Sequence, residues 1–326
     1  MVAIPAVSIV ICVYNGASCV ARALDSAFTQ DFGEAEVIVV DDGSTDRTPE
    51  ILRGYGARIR VLRQKNRGLA ASRNAALAVA RAEYISFLDA DDLWLPGRLA
   101  KTVAALDRQP GAVLAFSDAE LVDSMDKPVG HRFVQRDQAH APSIDEMLEG
   151  WWPILPSTVT MRRRAFEPCG GFREEYRSAS GFEDTFLFMM AREQGPFEYV
   201  PEPLIRYRVA PFVERMSKYA PGFRRFARGV RARYGAAGDR LVRQSVELWS
   251  RMLVYRGLEA LARGDGRQGR RALFCALRYQ PSPRNFRRLL RTYLPQRLAI
   301  ALTDRRRLAK AQSGDATTRR LLLSTY

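Results

Sequence analysis

Asp89-Ala90-Asp91-Asp92 crowds three carboxylates into one turn at the end of an apolar run. Neighbouring carboxylates repel one another unless a cation or a proton stands between them. A hard divalent ion such as Mg²⁺ or Mn²⁺ takes carboxylate oxygens and leaves coordination positions open for phosphate. As a Lewis acid it would stabilise a departing diphosphate. The same three acids also read as a turn that caps the helix starting near Pro96. Asp41-Asp42 ends a second apolar run, and Glu183-Asp184 opens a helical stretch. Taken alone, that last pair complements the positive end of a helix. His131 and His140 are the only histidines. They are too few for a His-based zinc site or a Ser-His triad, and both read as loop residues.

The elements that must carry these acids follow from the apolar pattern. Residues 7–13 are β-branched and apolar on both parities, as in a strand buried on both faces of a parallel sheet. Tyr14-Asn15-Gly16 ends that strand, and residues 17–30 have helical spacing. A second buried strand spans 36–40, and Thr45 or Asp46 can cap the helix after it. A third strand is expected at 58–62, an alanine-rich helix at 68–82 and a fourth strand at 84–88. This alternation predicts a doubly wound α/β sheet. Ligands of such sheets bind beyond the carboxyl ends of the strands, where Tyr14-Asn15, Asp41-Asp42 and the 89–92 turn all fall. Further on, the pattern predicts a helix and strand from 95 to about 117 and a turn-rich polar segment at 118–150. It then predicts a strand within 151–161, a helix at 181–194 and a last edge strand at 204–209.

Four blocks come in order: residues 7–16 (VSIVICVYNG), residues 37–46 (VIVVDDGSTD), residues 68–74 (GLAASRN) and residues 84–92 (YISFLDADD). Gly170-Gly171-Phe172 and Gly181-Phe182-Glu183-Asp184 follow them. In order and spacing these blocks resemble family 2 glycosyltransferases over roughly residues 5–210. The resemblance implies a GT-A fold with a mixed, mostly parallel sheet. It implies a catalytic domain over residues 1–219, with a nucleotide-binding half at about 1–117 and an acceptor half at about 118–219. It also implies an inverting transfer from a nucleotide-diphosphate sugar, expected to be a UDP-sugar, to an acceptor hydroxyl. Val13, Tyr14, Asn15, Asp42, Arg73 and Asp89 would then meet the nucleotide, with Tyr14 against the base and Asp42 accepting a hydrogen bond from it. Asp89 and Asp91 would hold Mg²⁺ or Mn²⁺, and Asp92 would support them. Asp184 would be the general base, taking the acceptor proton as the hydroxyl attacks C1. Trp151, Trp152, Ser157 and Glu183 are weaker candidates for the acceptor side, and paired tryptophans are as often core. Arg162-Arg163-Arg164 is either a solvated basic turn or a partner for an acidic acceptor.

Charge divides the chain. Residues 221–326 hold 25 Lys/Arg against 6 Asp/Glu, whereas the first 220 hold 26 against 30. The region 220–326 therefore reads as a basic, arginine-rich helical extension. Between 222 and 310 its arginines interleave with apolar residues as in helices at an anionic membrane surface. Solvated helix faces are the plainer alternative, and no nucleic-acid motif accompanies the charge. Residues 258–281 read as one helical hairpin. No stretch reaches the roughly 18–20 apolar residues of a spanning helix, and no signal peptide opens the chain, so membrane contact is expected to be peripheral. Cys12, Cys19, Cys169 and Cys275 are scattered, which fits a reducing cytoplasm and no disulfide framework. Gly264-Asp265-Gly266-Arg267-Gln268-Gly269 matches GxGxxG but follows a helical segment, and no Walker sequence is present.

A surface-polysaccharide or glycolipid pathway is the expected setting, with a glycan or lipid-linked acceptor and no specific nucleic acid. Two alternatives stand beside the transferase. One is a polyprenyl-phosphate sugar synthase, whose acceptor oxygen is already ionised. The other is a catalytically silent nucleotide-sugar-binding membrane scaffold, which needs no base.

Overall fold

The computed structural model describes residues 4–33, 35–123, 125–134, 138–150, 152, 154–176 and 182–293. Its internal contacts group into two compact units. The first comprises Met1–Met147 and Trp152–Val209, the second Leu148–Trp151 and Ala210–Tyr326.

The first unit is built on one mixed sheet. Strands β1 (Val7–Val13), β2 (Ala35–Asp41), β3 (Arg60–Arg63) and β4 (Tyr84–Asp89) run parallel in the order β3-β2-β1-β4. Helices α1 (Val20–Phe28), α2 (Thr48–Gly54) and α3 (Leu69–Val79) connect them. β1 is buried at every position but Cys12, as apolar residues on both parities require for a strand covered on both faces. Val20, Ala23, Leu24 and Ala27 bury the helical face of α1 in the same core as Ile9, Ile11 and Val39.

Beyond β4 the sheet turns mixed. Its remaining members are β5 (Leu93–Trp94), β6 (Leu114–Val122), β7 (Pro128–Arg132), β8 (Val159–Arg162) and β9 (Phe197–Arg208). The order continues β4-β8-β6-β9-β5, with β7 pairing β6. Three expectations change here. The strand expected at the edge over 204–209 is part of the twelve-residue β9, which lies inside the sheet, parallel to β6 and antiparallel to β5. The segment 118–150 is not mainly turn: it carries the end of β6, β7 and helix α5 (Ile144–Glu149). His131 accordingly lies in β7 rather than in a loop. Helices α4 (Arg98–Arg108), α6 (Phe166–Cys169) and α7 (Glu183–Arg192) complete the unit.

The second unit is helical. α8 (Phe212–Ala262) is two helices joined at a kink, where Gly235 takes φ 52° and ψ −125°. α9 (Gly266–Tyr279) folds back as the second arm of a hairpin, and α10 (Pro283–Arg291) follows. Phe223, Trp249 and Tyr279 pack edge-on or tilted at 4.9–5.5 Å between centroids, and the Tyr279 hydroxyl donates to the Met216 carbonyl. Asp265 caps α9 by accepting from Gln268 N–H, so the GxGxxG match is a helix cap between two helices. Among the described residues, no helix is long and apolar enough to cross a membrane.

Candidate functional site

Strand register brings the polar clusters together. Val13 pairs with Asp41, and Cys12 pairs with Asp89, so β1, β2 and β4 finish side by side. Adjacent strands lie about 4.8 Å apart, which sets the first two clusters within one small mouth. The loop after β1 is then tied to the loop after β2. Asn15 N–H donates to Ser44 Oγ, Gly16 N–H to Thr48 Oγ1 and Ala17 N–H to Asp46. Asn15 Oδ1 accepts from Thr45 N–H, and Asn15 itself holds φ 51°. Asp46 also accepts from Thr48 N–H at the start of α2, while the N-cap position itself falls to Arg47 rather than to Thr45 or Asp46. A side chain at Gly16 would collide with Val13 Cγ2, and one at Gly43, which sits at φ +83°, would meet the backbone of Asn66 and Gln64. The Tyr14 side chain stays 52% exposed above this fixed floor, its ring available for stacking.

Asp42 is buried, and its oxygens hold the loop ahead of α3. Oδ1 accepts from Gln64 Nε2 at 2.7 Å and Arg67 N–H at 2.8 Å, and Oδ2 accepts from Gly68 N–H at 2.8 Å. A carboxylate has about four lone-pair sites, and three are taken here.

α3 carries Arg73 and Asn74 toward residues some hundred positions away. Arg73 is 2% exposed and donates to Asp89 Oδ1 at 2.9 Å and to Glu183 Oε1 at 3.1 Å. Its guanidinium also lies over the Phe172 ring at 5.2 Å. Burial alone would lower its pKa, yet Asp89, Glu183 and Asp184 hold it above the ordinary arginine value. Asn74 accepts from Phe172 N–H and donates to the Phe172 carbonyl, both at 2.9 Å. The Arg-Asn pair of one helix thus fixes both the acidic turn and the two later motifs. The implied nucleotide contact of Arg73 meets a guanidinium already engaged on two carboxylates.

The acidic turn rests on a buried polar network. Ser157 Oγ donates to Asp92 Oδ2 at 2.6 Å and accepts Asp89 N–H at 3.0 Å. Arg208 N–H donates to Asp92 Oδ1, and Arg208 Nε to the Asp91 carbonyl. Arg98 is fully buried and stacks over Trp94 at 4.3 Å. It donates to the Ser157 carbonyl, Ser86 Oγ and Thr160 Oγ1. Burial pulls the pKa of Arg98 down to about 9, and its Nε is buried without a hydrogen-bond partner. Burial pushes Asp92 well above the usual carboxylate range, and repulsion from Asp89 and Asp91 adds to it.

A divalent ion fits this donor set in a particular way. Among the described residues no three His, Cys, Asp or Glu side chains form a cage. Asp92 is committed to Ser157 and Arg208. Asp91 is exposed, and Asp89 keeps 30% of its side chain exposed. The chain thus offers up to two carboxylates, which suits an ion held by one or two carboxylates and completed by phosphate and water.

Asp184 opens α7 next to buried Glu183. It is half-buried and accepts from Thr185 N–H at 2.6 Å. Burial raises its pKa to about 7, with Glu183 adding repulsion and Arg73 opposing it. A carboxylate poised there can hold or release a proton near neutrality.

Several expected residues go elsewhere. Ser157 has no exposed surface and cannot wall an acceptor, because its hydroxyl is spent beneath the acidic turn. Glu183 is likewise buried on Arg73. Trp152 packs edge-on against His140 at 4.9 Å, while Trp151 and Gly181 lie outside the described residues. Arg162-Arg163-Arg164 divides: Arg162 is buried, whereas Arg163 and Arg164 are exposed and open a 3-10 turn, in keeping with the solvated-turn alternative. Arg162 is buried in β8, and the three guanidinia donate to the carbonyls of Ala112 and Leu106, Ala80 and Pro110. Gln64, Arg98 and Arg208 escape sequence reading. For Arg98 and Arg208 the only signal was a cation amid apolar neighbours in a predicted helix or strand.

Comparison with known proteins agrees with this geometry. The model of "Glycosyl transferase family 2" matches residues 8–170. An uncharacterized glycosyltransferase of Rickettsia typhi is 30% identical over 195 residues, which are 57% of this chain and 59% of that protein. The chain thus spans less than two thirds of that relative's length. The succinoglycan biosynthesis protein ExoO of Rhizobium meliloti is 34% identical over 143 residues, 43% of this chain and 40% of that one. The crystal structure of S. aureus TarS 1-349 in complex with UDP superposes with a TM-score of 0.52 at 21% identity, covering 88% of this chain and 90% of that one. That likeness carries the GT-A fold.

Proposed function

The chain belongs to glycosyl transferase family 2, and from that membership we propose that it is an inverting glycosyltransferase. It moves a sugar from a nucleotide-diphosphate donor, a UDP-sugar, to an acceptor hydroxyl in surface-polysaccharide or glycolipid biosynthesis. The observation that carries the reading is the Arg73 bridge. One guanidinium ties the acidic strand end at Asp89 to the Glu183-Asp184 helix start, so a leaving-group side and a base side belong to one rigid assembly. The solved complex of TarS with UDP and the succinoglycan relative support the choice of donor and pathway.

In this reading Tyr14 packs against the base, and Asp42 uses its remaining lone pair on the base or ribose. Asp89 and Asp91 hold Mg²⁺ or Mn²⁺, which when bound supplies Lewis-acid stabilisation of the diphosphate. Asp92, fixed by Ser157 and Arg208, keeps the turn in position. Asp184 accepts the acceptor proton while the acceptor oxygen bonds to C1 and the bond from C1 to the diphosphate oxygen breaks, with inversion. Glu183 and Arg73 set the charge around that carboxylate. The acceptor is a glycan or a lipid-linked sugar, and the basic region 222–310 gives peripheral contact with an anionic membrane.

The test is donor hydrolysis and transfer with Mn²⁺. Wild type is expected to turn over UDP-sugar, and Asp184→Asn to bind the donor but lose transfer by at least about a hundredfold. Turnover in neither protein would point to a silent binder. Equal turnover in both, with a phosphate acceptor, would point to a polyprenyl-phosphate sugar synthase.

A further inference from the structure

The second unit presents an unusual surface at its C-terminal end. Eight large apolar side chains are exposed among the described residues, and four of them are Phe274, Phe286, Leu290 and Tyr293. Phe286, Leu290 and Tyr293 follow i, i+4, i+7 spacing along α10 and the turn after it, so they share one face. The Arg270 guanidinium lies over the Tyr293 ring at 5.7 Å, and Arg270 and Phe274 are one turn apart on α9. The four apolar residues therefore belong to one surface rather than four separate spots.

Cations surround it. Arg267, Arg271 and Arg278 are exposed on α9, and Arg284 and Arg287 on α10. No Asp or Glu falls between Asp265 and Asp304. A solvated helix face normally mixes both signs and keeps large apolar groups inside. Here the polar complement is of one sign, and the apolar stripe points outward on a helix that Ser282 caps and Asn285 anchors to Ser250. Nucleic acid would attract the arginines and can stack on an aromatic ring, but it has no place for Leu290 on the same face. An interface that takes both is the boundary of an anionic bilayer, where apolar side chains enter the acyl region and arginines meet phosphate headgroups.

We infer that α10, with the adjoining face of α9, is an anionic-lipid docking surface that inserts Phe286, Leu290 and Tyr293 below the headgroups. This rests on the membrane contact proposed above and narrows it from the region 222–310 to one face of two short helices.

The experiment uses the full chain in sedimentation with vesicles of phosphatidylcholine alone or mixed with phosphatidylglycerol. Wild type is expected to bind the mixed vesicles and to bind less as salt rises. Phe286→Ser with Leu290→Ser is expected to lower partitioning at least roughly tenfold while keeping the salt dependence. Arg284→Gln with Arg287→Gln is expected to lower binding and flatten that dependence. The exposed positions leave the melting temperature unchanged, which separates docking from unfolding. As a second readout, Phe286→Trp is expected to shift its emission to the blue on mixed vesicles. Equal binding to phosphatidylcholine alone would overturn the anionic-lipid requirement, and no emission shift on bound protein would overturn insertion. Wild-type binding that the Ser variant leaves intact would keep the membrane contact but remove this surface from it. Displacement from vesicles by RNA, with RNA binding unaffected by the Ser variant, would mark the surface as a nucleic-acid site. Donor hydrolysis is read in parallel, so loss of docking and loss of the transferase reading stay distinguishable.

Discussion

Ser157 holds Asp92 from below. Its hydroxyl donates to the Asp92 carboxylate at 2.6 Å while accepting the Asp89 N–H, and its carbonyl takes hydrogen bonds from Arg98 and Trp94. One small side chain thus sets both ends of the acidic turn. Ser157→Ala removes two buried hydrogen bonds and is expected to destabilise the protein by about 1–3 kcal/mol. The midpoint of Mn²⁺ activation should rise as well, because the turn loses its fixed geometry. Urea unfolding and a metal titration measure the two effects. An unchanged midpoint would leave Ser157 a stability residue alone.

Arg73 neutralises two carboxylates in a buried setting, one of them Glu183 at 3% exposure. Removing the cation strands them. Arg73→Met should therefore cost about 3–5 kcal/mol, as for other broken buried pairs. The double variant with Glu183→Gln should recover a large part of that loss, since the stranded charge goes too. Denaturant curves for the two singles and the double give the coupling directly, and simple additivity would rule out a shared charge network.

The raised pKa of Asp184, about 7, sets a pH dependence. A general base works only when unprotonated, so kcat/KM should climb about tenfold per pH unit below 7 and level off above it. Stability should move the other way. The folded state holds this proton more tightly than an unfolded chain, whose aspartate titrates near 3.9. Between about pH 4 and 7 the folded form binds more protons, so the contribution of this residue falls as pH rises. Asp184→Asn should remove that component of the stability profile. A rate flat from pH 5.5 to 8 would remove Asp184 from the base role.

Tyr14 is exposed above a loop pinned by Ser44, Thr45, Asp46 and Thr48. Stacking a base on such a ring contributes about 1–3 kcal/mol. Tyr14→Ala should weaken UDP binding by roughly tenfold or more, with the melting temperature of the free protein unchanged, because the ring buries little. Calorimetric titration of UDP checks it. Undiminished affinity would place the base elsewhere.

Much of the nucleotide-side fold was legible in the chain itself. β1, β2 and β4 are covered on both faces, so each is apolar on both parities, broken only by Ser8, Glu36 and Ser86, and the polar residues that follow mark strand ends in the same mouth. The Glu183-Asp184 pair at the start of α7 was legible for the same local reason. The pairing of the later strands was not. β8 is four residues long and β9 changes register against β6, and neither feature writes a period into the sequence. That is why β9 reads as an edge strand until its two neighbours are seen.

The amino-acid sequence by itself determined where β1, β2 and β4 end, which acids stand at those ends and that the C-terminal region is basic. Those properties depend on neighbours a few residues apart, through side-chain period and local charge. Only the tertiary structure decided what each charge is for. Arg73 meets Glu183 across 110 residues, Ser157 meets Asp92 across 65, and Arg208 meets Asp92 across 116. Charge and hydrogen-bonding energy depend on distance in space and on burial, and neither is set until the chain has folded.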